Sequence, residues 1–367
     1  MIEARPRLCP AWPDAHEVRA GDDPRRRRPA AAAHRSPTRT VAGSRVPRTS
    51  NCVQDDRTPS SQPTPSYDIV SASSTSRARS LDVPDLSIRT LNYAHVDLPV
   101  EFFGGVPIHS GKGVRTAAMH YTLLSERDGG GRERHHLIDC GFDEPWIPRF
   151  GFYDYEPPEV VLGKVGVRPE EIETVFVTHM HFDHVNNLHR FPNARVVVQR
   201  AEMDGWDGVM ALDERFLPLG ESSWILSSFD RGDHGFFQRL LAEGRLTVVR
   251  DGDELAPGLV GHLSPGGHTF GIQWIEVRSD GGPPFVIASD TAMWYSNIEE
   301  MWPSGYTNGN TYQMLLTYGE ISQFVDGDLD RVVPGHDMRL FERFPSKRIG
   351  ANEVAEVRVA GWDGSRL

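Results

Sequence analysis

From about residue 86 onward the chain predicts an α/β domain, and three observations carry that reading. Short runs rich in Val, Ile, Phe and Thr recur, helix-forming stretches lie between several of them, and the texture of the sequence changes near Leu86. Such a pattern gives sheets covered by helices. It does not separate a doubly wound sheet from a sandwich of two sheets flanked by helices.

Residues 1–85 are rich in Arg, Pro, Ser, Thr and Ala, with few aromatics and no sustained periodicity. A segment of this kind buries too little apolar surface to offset its ordering entropy, so we expect it to be disordered. The β-type runs that follow are Ala118–Leu124, His136–Cys140, Thr174–Thr178, Arg195–Gln199, Leu246–Val249, Ile272–Val277, Phe285–Ala288 and Arg331–Val333. Helices are expected at Pro158–Lys164, Pro169–Ile172, Gln199–Trp206, Gly235–Ala242 and Tyr312–Phe324. An aromatic-rich stretch, 204–245, reads as an insert that covers the mouth of a site or, alternatively, packs in the core or at an oligomer interface. Residues 346–367 read as a C-terminal tail.

The first 85 residues hold 14 Arg and ten acidic residues, a formal +4, which leaves −16 for the rest of a chain whose net charge is −12. So acidic a body is a poor match for nucleic-acid phosphates, which draw on clustered Lys and Arg. No apolar run approaches the roughly 20 residues of a membrane helix. Cys9, Cys52 and Cys140 have neither metal-like nor disulfide-like spacing, which suits a reducing, cytoplasmic setting. The expected partner is a small-molecule substrate, with no nucleic acid and no membrane, and a homodimer is left open.

The string Thr174-Val-Phe-Val-Thr-His-Met-His-Phe-Asp-His184 concentrates the chemistry. An apolar strand runs into a turn that places His179, His181, Asp183 and His184 within six residues. Leaving a strand, alternate residues point into one cavity, which suits His179 and His181, while Asp183 and His184 follow the bend and face a second ion. Neutral imidazoles and carboxylates are the ligands that zinc, manganese and iron take. Further ligand-type residues stand at strand ends: His268 in Ser264-Pro-Gly-Gly-His, Asp290 closing Phe285-Val-Ile-Ala-Ser-Asp290, and His336 in Val332-Val-Pro-Gly-His. A rigid scaffold presents side chains well from such positions.

The order H-x-H-x-D-H, then His, Asp and His, resembles the metallo-β-lactamase superfamily over about residues 86–345. The resemblance implies a four-layer αββα sandwich with metals at one edge. It also implies that His179, His181 and His268 hold one ion, Asp183, His184 and His336 the other, and Asp290 both. Zinc is the default, with manganese or iron as alternatives. Asp139, in Leu137-Ile-Asp-Cys-Gly141, matches an aspartate that orients a ligand in that family. The runs Phe191-Pro-Asn-Ala-Arg-Val-Val-Val-Gln-Arg-Ala-Glu202 and Pro265-Gly-Gly-His-Thr-Phe-Gly-Ile-Gln273 are similar to the N-acyl-homoserine-lactone lactonase group. Where those lactonases have a tyrosine three residues after the bridging aspartate, this chain has Met293, with Tyr295 two places on.

Such a resemblance implies a quorum-quenching hydrolase that opens a lactone or similar ester by attack of hydroxide held between two metals. Asp183 would pass the proton, and Tyr295 is the candidate for an extra hydrogen-bond donor to the substrate. The alternatives are a hydrolytic dehalogenase of an activated aromatic and a thioester hydrolase of the hydroxyacyl-glutathione type. A single-iron dioxygenase needs only two His and one Asp, so seven candidate ligands argue against it.

Overall fold

The computed structural model describes residues 83–103, 113–279 and 282–367. The expectation for residues 1–85 lies outside these residues, apart from 83–85. The described residues hold thirteen strands: β1 (Ser87–Pro99), β2 (Val114–Arg127), β3 (Glu133–Ile138), β4 (Ile172–Phe176), β5 (Arg195–Gln199), β6 (Leu246–Val249), β7 (Glu254–Ala256), β8 (Leu259–Leu263), β9 (Gln273–Val277), β10 (Phe285–Ser289), β11 (Val332–Pro334), β12 (Ser346–Ile349) and β13 (Asn352–Arg358). Eight form one sheet in the order β12-β13-β1-β2-β3-β4-β5-β6, and five form another in the order β11-β10-β9-β8-β7.

Period-2 patterning separates the layers. In β10, Val286 and Ala288 pack outward with Met314, Tyr318 and Ile321 of the helix Thr311–Phe324. Ile287, between them, joins Ile138, Phe176, Val197 and Ile275 in the core between the sheets. In β5, Val196 and Val198 face a third cluster with Val161, Leu162, Met203 and Phe237 from the helices over the large sheet, while Val197 faces inward. Helix, sheet, sheet, helix: the architecture is the αββα sandwich.

Parallel pairing sets the position of the site. Strands β3, β4, β5 and β6 run parallel, with Ile138 opposite Phe176 and Phe176 opposite Val197. In the small sheet β10 and β11 run parallel, with Ser289 opposite Pro334. Residues that follow aligned strands emerge together, as at the carboxyl ends of any parallel sheet. Asp139 thus leaves β3 beside Thr178 after β4, and Asp290 leaves β10 beside the turn of His336 after β11.

One expectation is corrected, and one open alternative narrows. Residues 346–358, read as part of a tail, form β12 and β13, and β13 pairs antiparallel with β1. Arg89 on β1 is fully buried against Glu356 and Asp363, a pairing across the whole domain that local patterning does not reveal. The stretch 204–245 is largely structural: Trp206 is fully buried and stacks on Phe229 at 3.8 Å between ring centroids, and Phe237 is also fully buried. Trp224 and Phe216 stay exposed. No helix among the described residues is long and apolar enough to cross a membrane.

Candidate metal centre

The loop after β4 begins with a clamp. Asp139 accepts hydrogen bonds from the Thr178 amide and hydroxyl, each at 2.8 Å, and lies 2.8 Å from His184 Nδ1. It holds this pose at φ 61°, and Ser289, whose hydroxyl also donates to Asp139, sits at φ 47°. Two non-glycine residues in the left-handed region, each costing on the order of 1–3 kcal/mol, mark a backbone that its surroundings over-determine. Gly335 has a related purpose. A Cβ there would stand 2.3 Å from Asp290 Oδ1, so only glycine leaves that carboxylate its place.

Around Asp290 the other six side chains expected from the sequence converge, and they fall into two groups. Its Oδ2 is 3.4 Å from His268 Nε2 and 3.9 Å from His179 Nε2, and His268 Nε2 is in turn 3.0 Å from His181 Nδ1. Its Oδ1 is 3.0 Å from His336 Nε2 and 3.6 Å from His184 Nε2, and each of those nitrogens is 3.5 Å from Asp183 Oδ2. The sets His179–His181–His268 and Asp183–His184–His336 each gather their donor atoms within 4.8 Å.

Three of the far nitrogens are held by acceptors. His184 Nδ1 donates to Asp139, His336 Nδ1 to the Ala118 carbonyl at 3.0 Å and His181 Nε2 to Asn308 Oδ1 at 2.6 Å. Each bond assigns the proton to the far side of the ring and leaves a lone pair facing the cluster. His179 Nε2 and His184 Nε2 are buried with no hydrogen-bond partner. Orphaned lone pairs of this kind are costly unless something fills the space between them, and a divalent cation fits the donor set.

The electrostatics divide the rings: burial opposes charge on His184 and His336, yet Asp183 raises the first and Asp290 the second, a positive charge that a bound cation would supply instead. Burial, helped by His184 and His181, holds His179 well below the ordinary histidine range, and burial with His181 brings His268 down to about 3. Both rings are therefore neutral, as metal ligands must be. Burial opposes charge on Asp290, yet His336 and His184 outweigh it and keep the carboxyl ionised.

Tyr295 is not part of this cluster. It is fully buried under the helix Thr311–Phe324, and its hydroxyl donates to the Val332 carbonyl at 2.9 Å. The two-residue shift from Met293 carries its side chain into the outer core. A different phenol, Tyr306, stands in the site. It lines a cleft with Asp183, Asp290, His181, His268 and His336. Its hydroxyl pairs with Ser227 Oγ at 2.5 Å, and its ring stacks on Phe102 at 5.2 Å. The remaining walls are Val96, Leu98, Met119, Phe150, Phe152, Phe182, Ser228 and Met293, with no Lys or Arg among the described lining residues.

Comparison with known proteins agrees with this arrangement. Residues 127–336 match the family model of the metallo-beta-lactamase superfamily. The chain belongs to that superfamily. Among its relatives, the N-acyl homoserine lactonase AttM of Rhizobium johnstonii is 26% identical over 191 residues, which cover 49% of this chain and 64% of that protein. The N-acyl homoserine lactonase AiiB of Agrobacterium fabrum is 26% identical over 206 residues, covering 53% of this chain and 67% of that protein. The chain thus spans less than two thirds of the length of AttM. In the superfamily's solved structures, a quorum-quenching N-acyl homoserine lactone lactonase superposes with a TM-score of 0.52 at 16% identity, over 70% of this chain and 95% of the other. AidC, a dizinc quorum-quenching lactonase, does so with 0.51 at 17% identity, over 74% and 94%. At these identities the superpositions speak for the shared fold.

Proposed function

We propose that the protein is a dinuclear metal-dependent hydrolase that opens a lactone or a similar cyclic or activated ester. The observation that carries this reading is Asp290, whose two oxygens face two separate ligand groups. His179, His181 and His268 would hold one ion and Asp183, His184 and His336 the other, with Asp290 shared. With divalent ions held by these residues, the site would have a source of hydroxide near neutral pH and of polarisation for the carbonyl oxygen. Zinc suits the mixed imidazole and carboxylate set, with manganese or iron as alternatives.

The chain's own groups do the rest. Aromatic and aliphatic walls exclude water and take an apolar acyl or ring substituent, and an uncharged substrate suits a lining with no Lys or Arg among its described residues. Asp183, in the cavity wall, accepts and passes the proton that the leaving alkoxide needs. In this reading Tyr306 takes the part expected of Tyr295, turning its hydroxyl to the substrate oxygen as charge develops. The lactonase names of AttM and AiiB support lactones as the first class to test. Phe102, Phe150, Phe152 and Phe182 favour one second reading, hydrolytic removal of halide from an activated aromatic ring. Thioesters of glutathione fit less well, because their carboxylates find no cation among the described lining residues.

A pH-indicator assay with lactones of varied ring and acyl size, beside a thioester and an activated aryl halide, tests the proposal on protein of measured metal content. Lactone opening with two ions per chain is expected. Turnover of the thioester or the halide alone would refute the lactonase reading. A maximum of one ion would refute the dinuclear one.

A further inference from the structure

Glu202 is fully buried at the start of the helix Arg200–Met210, yet it is no candidate ligand. Its carboxylate accepts four hydrogen bonds. Oε1 takes the Met180 amide and Trp206 Nε1, both at 2.8 Å, and Oε2 takes the Thr269 hydroxyl and the Gly271 amide, both at 2.7 Å. Four donors match what an ionised carboxylate can accept, so the buried charge is fully compensated. What matters is where the donors lie. Met180 stands between His179 and His181, while Thr269 and Gly271 follow His268. One oxygen therefore holds the loop carrying two of the histidines, and the other holds the turn carrying the third. Close packing enforces the arrangement, since a Cβ on Gly271 would stand 2.1 Å from the Glu202 backbone nitrogen.

We propose that Glu202 is a positioning residue that sets the spacing of the His179–His181 loop against the His268 turn, and so tunes the metal affinity of the three-histidine half alone. This rests on the reading that these histidines are ligands. The other half has braces that Glu202 does not touch, Asp139 on His184 and the Ala118 carbonyl on His336, although Asp139 also holds Thr178 ahead of His179. Replacing Glu202 by Gln turns one oxygen into a donor that confronts two donors, so one end of the brace must open.

The test is a zinc titration of the full chain in competition with a chromophoric chelator, run with apo-protein melting curves. The wild type should bind two ions, and a wild type that binds one or none refutes the dinuclear reading and this inference with it. With two steps in the wild type, Glu202→Gln should weaken one step by about 10- to 100-fold, the range found for partners that orient ligands, and leave the other within about threefold. Two milder variants cover the case in which Glu202→Gln does not fold. Thr269→Val removes a donor on the ligand-bearing turn and should weaken the same step by about five- to tenfold. Trp206→Phe removes a donor on the helix, leaves both loop contacts, and should lower the melting temperature without moving either step. The proposal is overturned if Glu202→Gln or Thr269→Val leaves both affinities unchanged, if both steps weaken alike, or if Trp206→Phe weakens binding as Thr269→Val does.

Discussion

Gly335→Ala isolates the role of the shared carboxylate without removing a ligand. The glycine does not have a left-handed φ, so alanine meets no backbone strain there, and the perturbation is contact alone. Its Cβ would lie 2.3 Å from Asp290 Oδ1 and 2.9 Å from the Ser289 carbonyl carbon. Relief to an ordinary contact of about 3.4 Å requires the carboxylate to retreat by about 1 Å. Overpacking of this size costs about 1–3 kcal/mol, or several degrees of Tm. The effect on chemistry should be larger, because a displacement of about 1 Å in a reacting geometry costs about 10²-fold. We therefore expect a folded protein with turnover down about 10²-fold and weakened binding of the ion nearest His336. Elemental analysis, melting curves and the lactone assay on one preparation measure all three. Turnover within threefold of wild type, with two ions retained, would refute the bridging role of Asp290.

Four further outcomes follow from the geometry. Tyr306→Phe should lower kcat by about 10²-fold at unchanged metal content, whereas Tyr295→Phe should cost only about 1 kcal/mol of stability through its bond to Val332; the reverse ranking would restore Tyr295 to the site. Asp183→Asn should lower turnover by about 10²-fold or more with a smaller change in substrate affinity, and an unchanged rate with both ions bound would remove Asp183 from proton transfer. Trp224→Ala should alter KM most for the largest acyl or aromatic substrates, since its exposed ring lies 6.1 Å from Tyr306, while Trp206→Ala should cost about 3–5 kcal/mol of stability; equal losses for every substrate with Trp224→Ala would make its role structural. Asp233 is pushed up to about 7 by burial, so the fold holds its proton, and stability is full below about pH 4 and declines until about pH 7; urea unfolding of Asp233→Asn should show a gain over wild type that grows across that window to at most about 4 kcal/mol, and a pH-independent difference would contradict it.

The legible part of the site was the part written in contiguous residues or at the ends of apolar runs. His179, His181, Asp183 and His184 share one turn, and His268, Asp290 and His336 follow β-type runs or tight turns, so residue type and strand end sufficed. Tyr306 and Asn308 belong to a loop without periodicity, stitched to the His268 turn by Thr307 Oγ1 and the Asn308 and Asn310 amides. Nothing local distinguishes that tyrosine from Tyr295; only the tertiary fold does. The strand β1 escaped for another reason. Its buried residues, on both faces, include Arg89, Thr90 and Asn92, which read as surface until their distant surroundings are known. The helices at Pro158–Gly163 and Thr311–Phe324 were visible because their apolar spacing and bounding residues are local.

The pairing of β1 with β13 brings the two ends of this unit together: the Gly361 amide donates to Asp85 at 2.7 Å, and the Trp362 indole donates to the Asp85 carbonyl at 3.0 Å. A unit whose ends meet in this way tolerates rewiring of its chain order. A linker from residue 362 back to residue 85, with new ends opened in the exposed stretch around Leu219 and Gly220, would reverse the order in which the His179–His184 turn and the later ligands are synthesised. His268, Asp290 and His336 would then leave the ribosome before His179 and His181, yet every strand would keep its neighbours. Circular permutation thus separates what the sheet demands of the chain from what its order of synthesis contributes.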